Sequence, residues 1–93
     1  NVNAFVSDEA ILSREASGYP QRLYIDGDFY PVAVFYSEKN VKQIWSEALP
    51  IIFAEVEPFL LITKQERLDG AKIPKISYQV LKTDRDRILI LKK

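Results

Sequence analysis

Apolar and polar positions alternate from Arg22 to Asp26, with Leu23 and Ile25 set against Arg22, Tyr24 and Asp26. Period two is the signature of a half-buried strand. Asp26-Gly27 then supplies the dipeptide favoured in type I′ hairpin turns, where both central residues need positive φ. Beyond it, Tyr30, Val32, Val34 and Tyr36 line one face and Phe29, Ala33 and Phe35 the other. A returning strand apolar on both faces belongs in a sheet centre or a barrel. Pro31 lacks a ladder donor, which places it at a strand start, an edge or a bulge. The period then changes. Val41, Ile44, Trp45, Ala48 and Leu49 fall at i, i+3, i+4, i+7 and i+8, with Lys42, Gln43, Ser46 and Glu47 between them. This stripe predicts a helix over about 40–49, with Asn40 as N-cap and Pro50 just past its end. Trp45 reads as the core anchor of that helix; an exposed Trp45 would instead mark an interface.

The rest of the chain reads mostly as strands. Residues 7–16 fit two descriptions, a helix capped by Ser7 or a short strand ending at Ser17-Gly18-Tyr19-Pro20. Ile51 to Glu57 and Phe59 to Thr63 read as strands divided by Pro58. Residues 67–74 form the longest loop-like stretch. Ile76, Tyr78 and Val80 alternate as another strand, Thr83 to Arg87 is a polar turn, and Ile88 to Leu91 is a buried strand. Five to six strands at roughly ten-residue spacing with one helix predict a β-rich α+β domain. Its expected form is a small antiparallel sheet or open barrel spanning residues 1–93 as a single domain.

Composition narrows the chemistry. The 93 residues include 13 Lys plus Arg and 13 Asp plus Glu, giving zero formal net charge. Nucleic acid as a partner is therefore not favoured by overall charge, although a local patch can still form one. No Cys is present, so a disulfide framework and a thiolate nucleophile are excluded from this chain. No His is present either, which removes the commonest general base and zinc ligand. No apolar run approaches the roughly eighteen residues of a membrane span, and the start lacks a signal-peptide layout. Cytoplasmic residence without membrane association is the expectation. Met is absent even at position 1, which points to a trimmed, processed or excised chain.

Candidate sites are few. Asp26-Gly27-Asp28 lacks the further oxygen ligands of a calcium loop, because Phe29, Tyr30 and Pro31 follow, so it reads as a turn flanked by two solvated acids. Asp84-Arg85-Asp86-Arg87 reads as a hairpin tip. Glu55 and Glu57 lie two apart, so on a strand they share a face, as a glycosidase or metal pair would. The same pair also serves a solvent-facing strand by discouraging edge pairing. Ser and Thr nucleophiles lack a partner base, and three glycines, at 18, 27 and 70, make no phosphate loop. No catalytic, metal or cofactor residues are assigned, and the chain is not expected to be an enzyme. A ligand-binding platform would use Arg22, Tyr24, Tyr30 and Lys39, where aromatics beside cations stack bases. An interaction edge would use Ile88, Leu89, Ile90 and Leu91, which can accept a strand from a partner or a second copy.

The spacing Pro20-x-Arg22-Leu23-x-Ile25-x-Gly27-x-x-Tyr30-x-Val32 resembles a family of small bacterial β domains of unassigned function. Those open with a Pro-x-Arg-Phe-x-Trp-x-Gly-x-x-Tyr-x-Val hairpin. Ser77-Tyr78-Gln79-Val80-Leu81, Asp84 and Ile88-Leu89-Ile90 echo their ending. Ile25 stands where the family has Trp, the terminal strand lacks its Trp, and the spacing from Val32 to Trp45 departs from the pattern. The resemblance covers about half the chain. It implies an accessory role in DNA repair, since such domains are often encoded beside translesion polymerase components. Read without it, the residues point to a non-catalytic binding or protein-interaction module. The alternatives are a nucleic-acid accessory domain or a carboxylate-dependent enzyme.

Overall fold

Three short parallel strands and an antiparallel hairpin make one mixed sheet in the computed structural model, which describes residues 8–27 and 41–93. Helix α1 (Asp8–Ala16) leads into β1 (Leu23–Asp26), and β2 (Val41–Ile44) follows in the described chain. A 3-10 turn (Ser46–Ala48) and the single-turn helix α2 (Leu49–Ile52) lead to β3 (Leu60–Thr63) and helix α3 (Gln65–Gly70). A second 3-10 turn (Lys75–Ser77) opens β4 (Tyr78–Asp84), which turns through Arg85 and Asp86 into β5 (Arg87–Lys92). The strand order is β2-β1-β3-β5-β4. This is a β-rich α+β fold with an open five-stranded sheet.

The sheet is mixed rather than wholly antiparallel. β1 pairs in parallel with β2, Leu23 opposite Val41, and with β3, Leu23 opposite Leu60. β5 pairs antiparallel with both β3 and β4. Parallel neighbours, β2 and β3, therefore occupy both sides of β1. The second strand of the hairpin expected at Asp26-Gly27, with Tyr30 and Pro31, lies outside the described residues, as does Lys39. Gly27 has a positive φ, +107°, but Asp26 does not and ends β1 as a strand residue, so the type I′ turn expected over the two does not form.

Both faces of the sheet are covered, which explains strands with no solvent side. β1 and β3 are buried at every position. On one face Leu23, Ile25, Leu60, Ile62 and Leu89 pack with Leu12 and Ala16 of α1. On the other, Tyr24, Ile44, Leu61, Ile88 and Ile90 pack with Leu49 and Ile52 of α2, Leu68 of α3 and Phe59. Phe59 is fully buried and meets Tyr24 edge-on, ring centres 5.1 Å apart at 86°, and Phe53 at 5.1 Å and 70°. Burying a side chain of this size contributes about 1.5–3 kcal/mol, and such aromatic pairs add to it.

Three expectations are corrected here. The helix expected over 40–49 is divided into strand β2, the 3-10 turn and α2. The i, i+3 spacing of Val41 and Ile44 fits either element over four residues, and parallel pairing with β1 decides for the strand. Trp45 is extended, at φ −119° and ψ 159°, and Pro50 sits in the first turn of α2, where its missing N–H costs nothing. Residues 51–57 are not a strand, since α2 and the turns after it occupy them. Residues 8–16, open between helix and strand, form α1. The third correction concerns Ile88 to Leu91. These residues lie inside the sheet, hydrogen-bonded to β3 and β4 on either side, and form no free edge.

Candidate functional site

The carboxyl ends of β1, β2 and β3 lie side by side, and a polar cluster forms where they stop. Asp26, the last residue of β1, is fully buried. This overturns its reading as a solvated turn acid. Thr63 Oγ1, at the end of β3, donates to Asp26 Oδ2 at 2.8 Å, and Ser46 Oγ lies 3.2 Å from both carboxylate oxygens. Arg67 of α3 places Nη1 3.7 Å from Oδ2 and donates to the Asp26 backbone carbonyl at 3.0 Å. Gly27 continues the join: its N–H donates to Ile44 O at 2.9 Å, and its carbonyl accepts from Gln43 Nε2 at 2.7 Å. A buried carboxylate requires this degree of satisfaction. Beside the cluster opens a crevice of about 260 Å³ lined by Asp26, Gly27, Trp45, Ser46, Glu47, Arg67 and Arg87.

Trp45 also borders a second, more apolar concavity. This groove has a volume of about 530 Å³, and its lining includes Tyr24, Ile44, Ala48, Ile51, Ile52 and Glu55, with Lys42, Gln43 and Glu47. Trp45 is 55% exposed and Ile51 71% exposed, so Trp45 is not the core anchor expected of it. Its extended backbone at the end of β2 turns it away from the sheet core, where Ile44 and Leu49 are buried instead.

The residues expected to make a binding platform are only partly assembled. Tyr24 is 4% exposed, so it cannot offer a face to a stacked base. Its hydroxyl reaches Glu55, 3.3 Å from Oε1 and 3.2 Å from Oε2. Arg22 donates through Nη2 to Glu57 Oε1 at 2.7 Å. The Tyr24 oxygen, followed by the charges of Glu55 and Glu57, raises the Arg22 guanidinium above its ordinary pKa. Glu55 and Glu57 thus sit beside Arg22 and Tyr24, on a turn after α2 rather than on a strand. Lys92 completes this corner: it is buried and its ammonium donates to the backbone carbonyls of Glu55 and Val56. Tyr30 and Lys39 lie outside the described residues.

Sequence reasoning missed the Asp26–Arg67 cluster and the Trp45 groove. Arg67 sat in a stretch read as loop, and Asp26 beside Gly27 carried the stronger signal of a turn. Only the alternative attached to Trp45, that exposure would mark an interface, pointed toward the groove. Among the described residues no group of three or more Asp or Glu gathers as a metal site, and no described helix is long and apolar enough to cross a membrane.

Fold and site together define a small β-rich α+β domain with a buried acid at its parallel strand ends and an apolar groove beside its outer strand. Comparison with known proteins finds no family model, no curated protein and no solved structure that matches this chain.

Proposed function

We propose that the protein is a non-catalytic interaction module that takes an extended, apolar segment of a partner protein along β2 and the Trp45 groove. The observation that carries this reading is the exposure of Trp45 and Ile51 on one concavity of about 530 Å³. Large apolar side chains clustered on a concave surface are what interface anchors use. Among the described residues β2 is an outer strand, so its far side carries unpaired backbone groups. Lys42 and Ile44 of β2 both line the groove, and residues two apart on a strand share a face. A strand added outside β2 would therefore present every second side chain to the groove, the geometry of strand addition.

The other outer strand, β4, is less receptive. It breaks register between Val80 and Lys82 and exposes Gln79, Lys82 and Thr83, and bulges and edge lysines discourage pairing. Strand addition thus moves from Ile88–Leu91 to β2. The non-catalytic reading is supported by the use of Glu55 and Glu57 as acceptors for Tyr24 and Arg22, and by the lack of His and Cys in the chain.

A displayed library of random extended peptides, selected on the whole chain, tests this reading. The expected result is enrichment of sequences alternating apolar and polar residues. Such a peptide should shift the β2 amides and the Trp45 indole in ¹⁵N NMR spectra and lose binding to Ile51→Asp. Selected peptides that map away from β2, or a chain that self-associates through β2 in sedimentation and excludes every peptide, would overturn it.

A further inference from the structure

The crevice at the carboxyl ends of the parallel strands has a chemistry of its own, separate from the apolar groove. Open sheets with parallel strands hold ligands in this place, outside the carboxyl ends. The sign of the ligand follows from how Asp26 and Arg67 are bonded. The Ser46 hydroxyl lies 3.2 Å from both oxygens of the Asp26 carboxylate and shares its one hydrogen between them, Oδ2 also accepts from Thr63, and Arg67 lies against Oδ2. Fully buried, bonded by two hydroxyls and already paired with the Arg67 charge, Asp26 is a fixed internal partner rather than a receptor for a cation.

Arg67 is in the opposite condition. Among the described residues its guanidinium is held through Nη1 alone, by the Asp26 carbonyl and carboxylate, while Nη2 and Nε carry no hydrogen bond. Its side chain is 30% exposed and lines the crevice. A guanidinium so fixed presents its remaining donors in a rigid fork, the arrangement that matches planar oxyanions. Gly27 makes this position accessible, because a Cβ there would stand 2.9 Å from Arg67 Nη1. A second guanidinium, Arg87, also lines the crevice, and Glu47 is the one exposed carboxylate among the lining residues. Exposed Trp45 supplies a flat apolar wall. The volume of about 260 Å³ corresponds to about nine waters, enough for a small organic anion.

We infer that this crevice is a binding site for a small oxyanion, held by the Arg67 guanidinium with its apolar or planar remainder against Trp45. A carboxylate and a phosphate ester share the chemistry required, and separate probes distinguish them. The test is an NMR titration of the whole chain with benzoate, acetate and inorganic phosphate, read at the arginine Nε–H and the Trp45 indole signals. The expected result is a saturable shift of the Arg67 Nε–H with at least one probe. Benzoate should bind more tightly than acetate and move the indole as well, whereas a phosphate-first order would assign the site to phosphorylated ligands.

Arg67→Lys should weaken binding at least about tenfold, the weight of one charge-assisted hydrogen bond, while Arg22→Lys leaves it unchanged. If Arg67→Lys does not fold, Glu47→Gln decides, because removing the rim charge should tighten binding severalfold. Shifts that rise linearly without saturating across all arginines, or a Glu47→Gln variant that binds no better, would overturn the site. Trp45 borders both concavities, so the two readings are separated by the Arg67 Nε–H, which reports the anion, and the β2 amides, which report the peptide.

Discussion

The Asp26 carboxylate and the Arg67 guanidinium stand 3.7 Å apart, the first fully buried and the second partly open to solvent. The pair joins the end of β1 to α3, two elements far apart in the chain. Arg67→Met keeps much of the stem but leaves the buried carboxylate with hydroxyl donors only. The expected cost is about 2 kcal/mol, below that of a fully buried pair because Arg67 is partly solvated. In Asp26→Asn/Arg67→Met the loss should be smaller than the sum of the two single changes. Urea unfolding of the four proteins measures the coupling; strictly additive losses would mean the pair carries none.

Gly27 is constrained twice, by its φ of +107° and by Arg67 Nη1, which a Cβ would approach to 2.9 Å. Gly27→Ala should cost about 1–3 kcal/mol, from backbone strain together with displacement of the arginine. The Arg67 Nε–H signal should move in the same variant. A stability within a few tenths of the parent would show that the turn relaxes freely.

Ser13 of α1 is fully buried and its hydroxyl finds no partner among the described residues. Replacing it removes an unsatisfied polar group and raises helix propensity together. Ser13→Ala should therefore stabilise the protein by about 1 kcal/mol, seen as a higher melting temperature. A loss of stability would imply a partner for the hydroxyl.

Lys64 lies 3.2 Å from Asp86 at the β4–β5 turn, and its hydrogen bond, with its charge, holds the Asp86 carboxyl below the ordinary 3.8. A carboxyl depressed in the folded state adds stability above its unfolded pKa, and that share disappears as pH falls through the folded value. The change therefore lies below pH 3.8. Both groups are largely or partly exposed, so the share is small and weakens with salt. ¹³C carboxyl titration should place the Asp86 midpoint below 3.8, and Lys64→Gln should return it to the ordinary range.

The strands of the sheet were legible where apolar residues alternate or run together. Leu23–Asp26, Leu60–Thr63 and Arg87–Lys92 are strands where the pattern placed them, and Asp84–Arg87 is the hairpin tip it suggested. Strand direction was not legible, because period two is common to parallel and antiparallel pairing. Short segments misled for a physical reason. Val41 to Ile44 carries a spacing that fits a helix or a strand, and a tertiary partner, β1, chose between them. Gln65–Gly70 ends in glycine, and its part from Arg67 onward read as loop, yet Leu68 anchors it in the core. The candidate site was the least visible. Asp26, Ser46, Thr63 and Arg67 come from four separate elements, and nothing in their local spacing announces that they meet. Tyr24 was marked for a binding role, and its position on a strand buried on both faces placed it in the core instead.

The mixed sheet has a consequence for the order in which the molecule forms. β4 meets β5 through a two-residue turn, a contact that closes quickly and locally. Leu23 meets Leu60 only once β2, α2 and their connections have been traversed, and pairings of that kind are slow. β3 stands between the two regimes, bonded on one side to β1 and on the other to β5. The early hairpin therefore offers β3 a template, and the parallel half is added to it. Substitutions along β5 should slow refolding, while those in β2 should chiefly speed unfolding. The strand that receives a partner in the functional reading thus belongs to the half of the sheet expected to form later.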